Sequence, residues 1–149
     1  MIRLLGRTLS GRVLVAGVGR VDRCDDGAGR VLARRLASVP GIVALDCGDR
    51  LEDFTGDIAR LHPDIILVAD AVDLRSPPGS VALLEPSTLA PATIDGHRAT
   101  LAPAMEYLAM RTGATVLLLA IQPSRVADGV GLSAPVEGTV GVLADLFMG

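Results

Sequence analysis

Five short, almost wholly apolar runs alternate with segments of helical spacing, and this alternation constrains the fold more than any other feature. The runs cover residues 12–18, 42–45, 65–69, 80–84 and 115–121. Strands without a polar face are typical of sheets that helices cover on both sides. We therefore predict an α/β fold, a three-layer α/β/α sandwich with a mostly parallel sheet of about five strands. A chain of 149 residues suits a single domain, residues 1–149.

Between these runs, apolar residues recur at helical spacing. They predict three amphipathic helices, around Ala28, Val31, Leu32 and Leu36, around Leu101, Ala104, Met105 and Leu108, and around Val136, Val140, Leu143 and Phe147. A fourth helix over residues 51–61 is interrupted by Gly56, which costs about 1 kcal/mol relative to Ala. The turn at residues 75–79 is too short for a parallel crossover, so residues 80–84 should run antiparallel to residues 65–69.

The composition excludes several classes of partner and chemistry. With 14 basic and 17 acidic residues the net charge is -3, and aromatic residues make up only 2%. There is thus neither a broad cationic field nor a set of stacking rings, so we expect no nucleic acid or membrane partner. All the basic residues are Arg. The absence of Lys excludes a Schiff-base enzyme and the Lys of a P-loop.

Cysteine usage and hydropathy indicate a cytoplasmic protein. Only two cysteines are present, Cys24 and Cys47, which fits a reducing compartment better than a disulfide framework. The first eleven residues lack the apolar stretch of a signal peptide. The most apolar run, residues 114–121, is much shorter than the roughly 20 residues that span a bilayer.

Three residues with metal-binding side chains, Asp26, Asp70 and His97, each fall where a strand has ended or a helix is about to begin. In an open α/β sheet such positions share one edge, so we expect these side chains to converge there. Two carboxylates and one imidazole suit nickel, zinc, iron or manganese and leave coordination positions open. The sequence thus predicts a metal-directed site.

Two other interpretations of this region stay open. Asp is a preferred N-cap and complements the helix dipole, so capping also explains the Asp25-Asp26 pair. The Gly-Val-Gly turn after the first strand, with Asp46 after the second, fits a dinucleotide-binding domain. Such a domain has a third glycine where this chain has Asp22, whose carboxylate would face a pyrophosphate.

Seven motifs follow one another along the chain. They are Gly17-Val18-Gly19, Asp25-Asp26-Gly27-Ala28-Gly29, Leu45-Asp46-Cys47-Gly48, Leu67-Val68-Ala69-Asp70-Ala71-Val72-Asp73, Pro78-Gly79-Ser80-Val81, His97 and Ile121-Gln122-Pro123. Single motifs are weak signals, but the ordered set is specific and covers nearly the whole chain. It resembles the maturation endopeptidases of nickel-iron hydrogenases, most closely the branch that processes the large subunit of the formate-hydrogenlyase hydrogenase.

The resemblance implies an endopeptidase that removes a C-terminal extension from the hydrogenase large-subunit precursor after nickel insertion. Asp26, Asp70 and His97 would recognise the nickel, which the precursor supplies, and form the catalytic site of this aspartate-containing peptidase. The ion would serve either as a recognition label or also as a catalyst, and both roles stay open. Asp25 would keep the capping role. The motifs also supply supporting residues, namely Gly17, Gly19, Gly27, Asp46, Gly48 and Gln122.

One position departs from the family pattern. Members usually have Asn directly after the Gly-x-Gly motif, and this chain has Arg20. The guanidinium would either alter substrate choice or pair with Asp22 or Asp25 without further effect. A non-catalytic paralogue that binds nickel or the precursor therefore stays open as an alternative, together with a small nucleotide-binding domain.

Overall fold

The computed structural model describes residues 2–89 and 101–149. Its strands are β1 (Ile2–Leu4), β2 (Arg7–Leu9), β3 (Val13–Gly17), β4 (Ile42–Asp46), β5 (Ile65–Ala71), β6 (Val81–Leu84) and β7 (Thr115–Ile121). Its α-helices are α1 (Ala28–Leu36), α2 (Thr55–Arg60), α3 (Leu101–Thr112) and α4 (Ala134–Met148). Short 3-10 turns at Cys24–Gly27 and Leu51–Phe54 precede α1 and α2, and a third covers Pro86–Thr88.

The central sheet has five strands in the order β4-β3-β5-β7-β6. The first four are mutually parallel, and β6 pairs antiparallel with β7 at one edge. The predicted direction of residues 80–84 is thus confirmed. Their neighbour in the sheet is β7 rather than β5, because β7 pairs with β5 along its full length and separates it from β6.

Apolar side chains from alternating strand positions form two cores, one on each face of the sheet. One core packs against α1 and α4 and contains Val15, Leu67 and Leu119. The other packs against α2 and α3 and contains Leu14, Ile66 and Leu118. The structure therefore confirms the predicted three-layer α/β/α sandwich with a mostly parallel sheet of five strands.

The helices follow the predicted spacing, with one difference in detail. The segment predicted as a helix over residues 51–61 is a 3-10 turn, Leu51–Phe54, that continues into α2. Gly56 lies inside α2, so the irregularity occurs before this glycine and not at it.

The amino-terminal hairpin of β1 and β2 was not predicted from the sequence. Its two-residue turn has positive φ at Leu5 and Gly6, 51° and 77°, as a type I′ hairpin requires. Leu4 and Leu9 bury their side chains in the core on the α1 and α4 face. In the part of the chain that the structure describes, no helix has the length and apolar character needed to cross a bilayer.

Candidate functional site

Asp26, in the 3-10 turn before α1, and Asp70, near the carboxyl end of β5, both lie next to Gly19. Gly19 has φ +137°, and a Cβ atom there would lie 2.0 Å from the carbonyl oxygen of Asp26 and 3.4 Å from Oδ1 of Asp70. The backbone N–H of Arg20 donates to Oδ2 of Asp26 at 3.0 Å. Both acids are buried, with 4% and 1% of their surfaces exposed. The predicted approach of these two acids to one edge of the sheet is therefore observed.

Close packing of α1 against β5 sets this arrangement. A Cβ atom at Gly29 would lie only 1.9 Å from the carbonyl oxygen of Ala69 and 2.9 Å from the backbone nitrogen of Asp70. Only glycine allows such an approach, which is how these motifs bring a helix start onto a strand end. Since Asp26 lies three residues before Gly29, the contact also brings this acid to the end of β5.

His97 lies outside the described residues, so its convergence with the two acids stays a prediction. Within residues 2–89 and 101–149, no group of three or more His, Cys, Asp and Glu side chains is arranged to hold a metal ion. The two carboxylates supply hard oxygen donors, which suit a divalent cation that completes its coordination with ligands from elsewhere.

Asp25 does not cap a helix, so that prediction is wrong. Neither the 3-10 turn at Cys24–Gly27 nor α1 has a side-chain cap. Its buried carboxylate instead accepts four hydrogen bonds from the segment after β7: from the backbone N–H groups of Ser124 and Arg125 (both 2.9 Å) and of Ser133 (2.7 Å), and from Ser133 Oγ (2.7 Å). Burial by itself raises the pKa of Asp25, but these four donors outweigh it and hold the pKa below the usual range.

Further contacts bind the same loop to the residues that precede Asp25. Gly129 N–H donates to the carbonyl of Asp22 at 3.0 Å, and Cys24 N–H donates to the carbonyl of Gly129 at 3.0 Å. Arg23 pairs with Asp128 on the surface at 2.9 Å. The loop between β7 and α4 therefore lies directly beside the segment that carries the two acids, and Asp25 is its buried anchor.

Asp46 forms ion pairs with two arginines from α1. Arg30 Nε and Arg34 Nε donate to its two carboxylate oxygens, each at 2.7 Å. Burial alone raises the pKa of Asp46, but the hydrogen bonds from Arg30, the Gly48 amide and Arg34 together lower it. A carboxylate held in this way is not presented to a ribose hydroxyl, so the nucleotide interpretation loses the acid on which it depended.

The other predicted supporting residues shape loops at the same edge of the sheet. Gly48 accepts a hydrogen bond from Gly19 N–H at 2.9 Å, which joins the loops after β3 and β4. Gln122 directs its side-chain oxygen to the backbone N–H groups of Leu74 and Ser76, in the loop after β5. A Cβ atom at Gly17 would lie 2.4 Å from the carbonyl of Gly29, and one at Gly27 would lie 2.8 Å from Cα of Val21.

Arg20, the departure from the family pattern, pairs with Asp22. Its Nε and Nη2 donate to the two carboxylate oxygens at 3.1 and 2.8 Å, and both side chains are about half exposed or more. The hydrogen bond from Arg20 holds the pKa of Asp22 below its usual range. The guanidinium is therefore paired at the surface, and Arg20 contacts Asp26 through its backbone N–H.

The partners of Asp46 and Asp25, chiefly Arg30, Arg34 and Ser133, were not predicted from the sequence. A weak signal existed for Ser133, which occupies the N-cap position of α4 just before Pro135. Its hydroxyl donates to Asp25 instead of capping the helix. No local pattern predicts that Arg30 and Arg34 reach the end of a strand that follows them in the sequence.

Comparison with known proteins gives one consistent result. The family model described as hydrogenase maturation protease, HycI, matches residues 28–148. The hydrogenase 3 maturation protease of Escherichia coli K12 is 30% identical over 126 residues, which cover 83% of this chain and 80% of the relative.

Solved structures extend the likeness to the fold and to the residues before Ala28. The crystal structure of the [NiFe] hydrogenase maturation protease HycI from Thermococcus kodakarensis superposes with a TM-score of 0.84 at 26% identity, over 92% of this chain and 90% of that one. The solution structure of the endopeptidase HycI from Escherichia coli gives 0.81 at 26% identity, over 93% and 90%. The sequence and fold comparisons agree, so the chain belongs to the hydrogenase maturation protease family, the family that the motif order had indicated, and is an endopeptidase.

Proposed function

We propose that this endopeptidase acts in the cytoplasm and removes the C-terminal extension of a nickel-iron hydrogenase large-subunit precursor once nickel has been inserted. Asp26, Asp70 and His97 recognise the nickel of the precursor and form the catalytic site. One observation carries the proposal: two buried acids from separate motifs, Asp26 and Asp70, both lie next to Gly19 in a member of this family. The similarity to hydrogenase 3 maturation proteases favours the formate-hydrogenlyase branch as the source of the substrate.

The chemistry of the two acids fits nickel as part of the substrate. Buried carboxylates concentrate negative charge where water screens it least, so a divalent cation between them gains more than at an exposed site. Carboxylate and imidazole donors complement the soft thiolates that hold nickel in a hydrogenase precursor. Binding is then strong only for the loaded precursor, and an unloaded precursor lacks the ion that both carboxylates recognise.

The same groups supply the elements of peptide hydrolysis. Asp26, Asp70 and His97 would hold the nickel ion, which would supply Lewis-acid chemistry for peptide hydrolysis. One of the two carboxylates would accept the proton of the attacking water as a general base. The hydrogen bond from Arg20 N–H fixes one oxygen of Asp26, which limits the positions this acid can adopt during the reaction.

The test compares cleavage of nickel-loaded and nickel-free precursor, followed by intact-mass spectrometry. We expect loss of one C-terminal peptide from the loaded precursor only. Asp26→Asn and Asp70→Asn should abolish this loss. Asp22→Asn is the matched control, because Asp22 belongs to the same segment but is exposed and contacts Arg20.

Three results would contradict the proposal. Cleavage of nickel-free precursor at an equal rate would remove nickel from recognition. Formation of a stable complex without any change in precursor mass would instead favour a non-catalytic paralogue. Unchanged cleavage by Asp26→Asn would show that this acid has no part in the reaction.

A further inference from the structure

The peptide group between Gly19 and Arg20 links Asp26 to the guanidinium of Arg30 on α1. Its N–H end, at Arg20, donates to Oδ2 of Asp26 at 3.0 Å. Its C=O end, at Gly19, accepts from Nη1 of Arg30 at 3.4 Å. Because both groups belong to the planar unit between Gly19 and Arg20, the direction of one determines the direction of the other.

Arg30 is itself held in place by Asp46. The guanidinium donates through Nε at 2.7 Å and through Nη2 at 3.4 Å to the two oxygens of this carboxylate. The pair is partly buried, with 19% of the Arg30 side chain and 28% of the Asp46 side chain exposed. Burial and the forked geometry restrict the guanidinium, so its remaining arm has a defined direction towards Gly19.

Asp46 also reaches the other side of Gly19. Its Oδ1 accepts from the Gly48 amide at 3.2 Å, and the Gly48 carbonyl accepts from Gly19 N–H at 2.9 Å. Gly19 is therefore fixed at its N–H through Gly48 and at its C=O through Arg30. Its φ of +137° is one that glycine adopts readily and that a side chain would disfavour, and these two contacts hold the residue in that conformation.

We propose that Arg30 is a positioning residue for Asp26 and acts through the Gly19–Arg20 peptide group. A cationic donor at the peptide oxygen polarises the group and makes its N–H a stronger donor. That N–H in turn fixes the rotation of the Asp26 carboxylate. This role rests on the proposed function, in which Asp26 binds the nickel of the precursor. In the same arrangement Asp46 holds the guanidinium of Arg30 in place.

Arg34 provides a matched control for Arg30. Both arginines lie on α1 and donate to Asp46 at 2.7 Å, but only Arg30 also contacts Gly19. Replacing either one removes a positive charge beside the same carboxylate. An effect specific to Arg30 must therefore pass through the peptide group and not through the general charge balance around Asp46.

The experiment measures the amide resonance of Arg20 in 1H–15N spectra of Arg30→Gln and Arg34→Gln. We expect an upfield shift of the Arg20 amide proton in Arg30→Gln, because its hydrogen bond to Asp26 weakens, and little change in Arg34→Gln. Arg30→Lys serves as a second variant. It keeps the positive charge beside Asp46 and thus the fold, but a single ammonium group cannot reach both Asp46 and the Gly19 carbonyl as the guanidinium does. It should shift the same amide in the same direction.

Titration with Ni2+ alone adds a functional readout. Loss of a group that orients a metal ligand typically lowers metal affinity by about 10- to 100-fold, and we expect such a loss in Arg30→Gln but not in Arg34→Gln. Equal shifts of the Arg20 amide in the two Gln variants, or an unmoved amide in both Arg30 variants, would overturn the inference. Failure of the wild-type protein to cleave loaded precursor would instead refute the proposed function and leave the amide shift as a valid test of the positioning role.

Discussion

Replacement of Asp25 by Asn tests the role of this acid as the buried anchor of the loop between β7 and α4. Oδ2 of Asp25 accepts three hydrogen bonds and Oδ1 accepts one, all from residues 124–133. An amide oxygen at the Oδ2 position keeps three of them, but as neutral bonds. The amide nitrogen then faces the backbone N–H of Ser133, which is left without an acceptor.

The expected loss follows from these contacts. Three bonds that lose their charge cost about 0.5–1 kcal/mol each, and one buried donor without an acceptor costs about 1–3 kcal/mol. Together they predict a loss of about 2.5–6 kcal/mol, which includes the roughly 3–5 kcal/mol found when one partner of a buried charged group is removed. For a domain of this size that corresponds to a decrease in Tm of roughly 10–15 °C.

Urea unfolding followed by circular dichroism measures this loss, and hydrogen exchange locates it. Exchange should increase first in peptides that cover residues 124–133. Asp128→Asn is the matched control because Asp128 lies in the same loop but is 95% exposed, where its pair with Arg23 is screened by water. A loss below about 1 kcal/mol for Asp25→Asn, or exchange no faster in the loop than elsewhere, would refute the anchoring role.

Three further predictions concern glycine packing, pH and thiol reactivity. Gly29→Ala should destabilise the protein by at least the roughly 1–3 kcal/mol typical of overpacking, since the new Cβ atom would lie 1.9 Å from a backbone oxygen of β5. In the same urea assay the control Gly56→Ala should be neutral or stabilising, because its Cβ atom would lie 3.6 Å from the end of an arginine side chain. Because the pKa of Asp46 is depressed, its carboxylate contributes fully to the free energy of unfolding above the pKa of an unfolded Asp, about 3.9, and this contribution is lost as the pH falls through the lower native value. The difference in free energy of unfolding between wild type and Asp46→Asn should therefore be constant from pH 7 to pH 5 and disappear in strong acid. A difference that grows with falling pH would contradict this prediction. Burial raises the pKa of Cys47 to about 12, so alkylation at pH 8 should modify the more accessible Cys24 first and reach Cys47 only on unfolding, as mass spectrometry of the labelled protein will show.

Much of the fold was predictable because its signals are local. The apolar runs of the five sheet strands and the helical spacing of α1, α3 and α4 are properties of short segments, and each segment forms the predicted element. The order of the strands is a property of distant contacts. Nothing within residues 80–84 indicates that β7, some thirty residues later, separates them from β5. The hairpin of β1 and β2 was missed because strands of three residues carry almost no periodicity.

The same distinction applies to the site. The positions of Asp26 and Asp70 were predictable because Asp26 comes just before a recognisable helix and Asp70 near the end of a recognisable strand, and such places share one edge of a parallel sheet. The role of Asp25 was not predictable, since its partners lie about one hundred residues away and donate mostly through the backbone. Arg30 was missed for a similar reason, because an arginine on a helix face is usually a solvated charge.

The most direct test of the central claim is the structure of the protein with a bound Ni2+ ion, located by its anomalous scattering. We predict one ion coordinated by a carboxylate oxygen of Asp26, a carboxylate oxygen of Asp70 and an imidazole nitrogen of His97, at about 2.0–2.2 Å as in related sites with these donors. An ion bound elsewhere, or one that contacts Asp26 and Asp70 while His97 remains beyond coordinating distance, would contradict it.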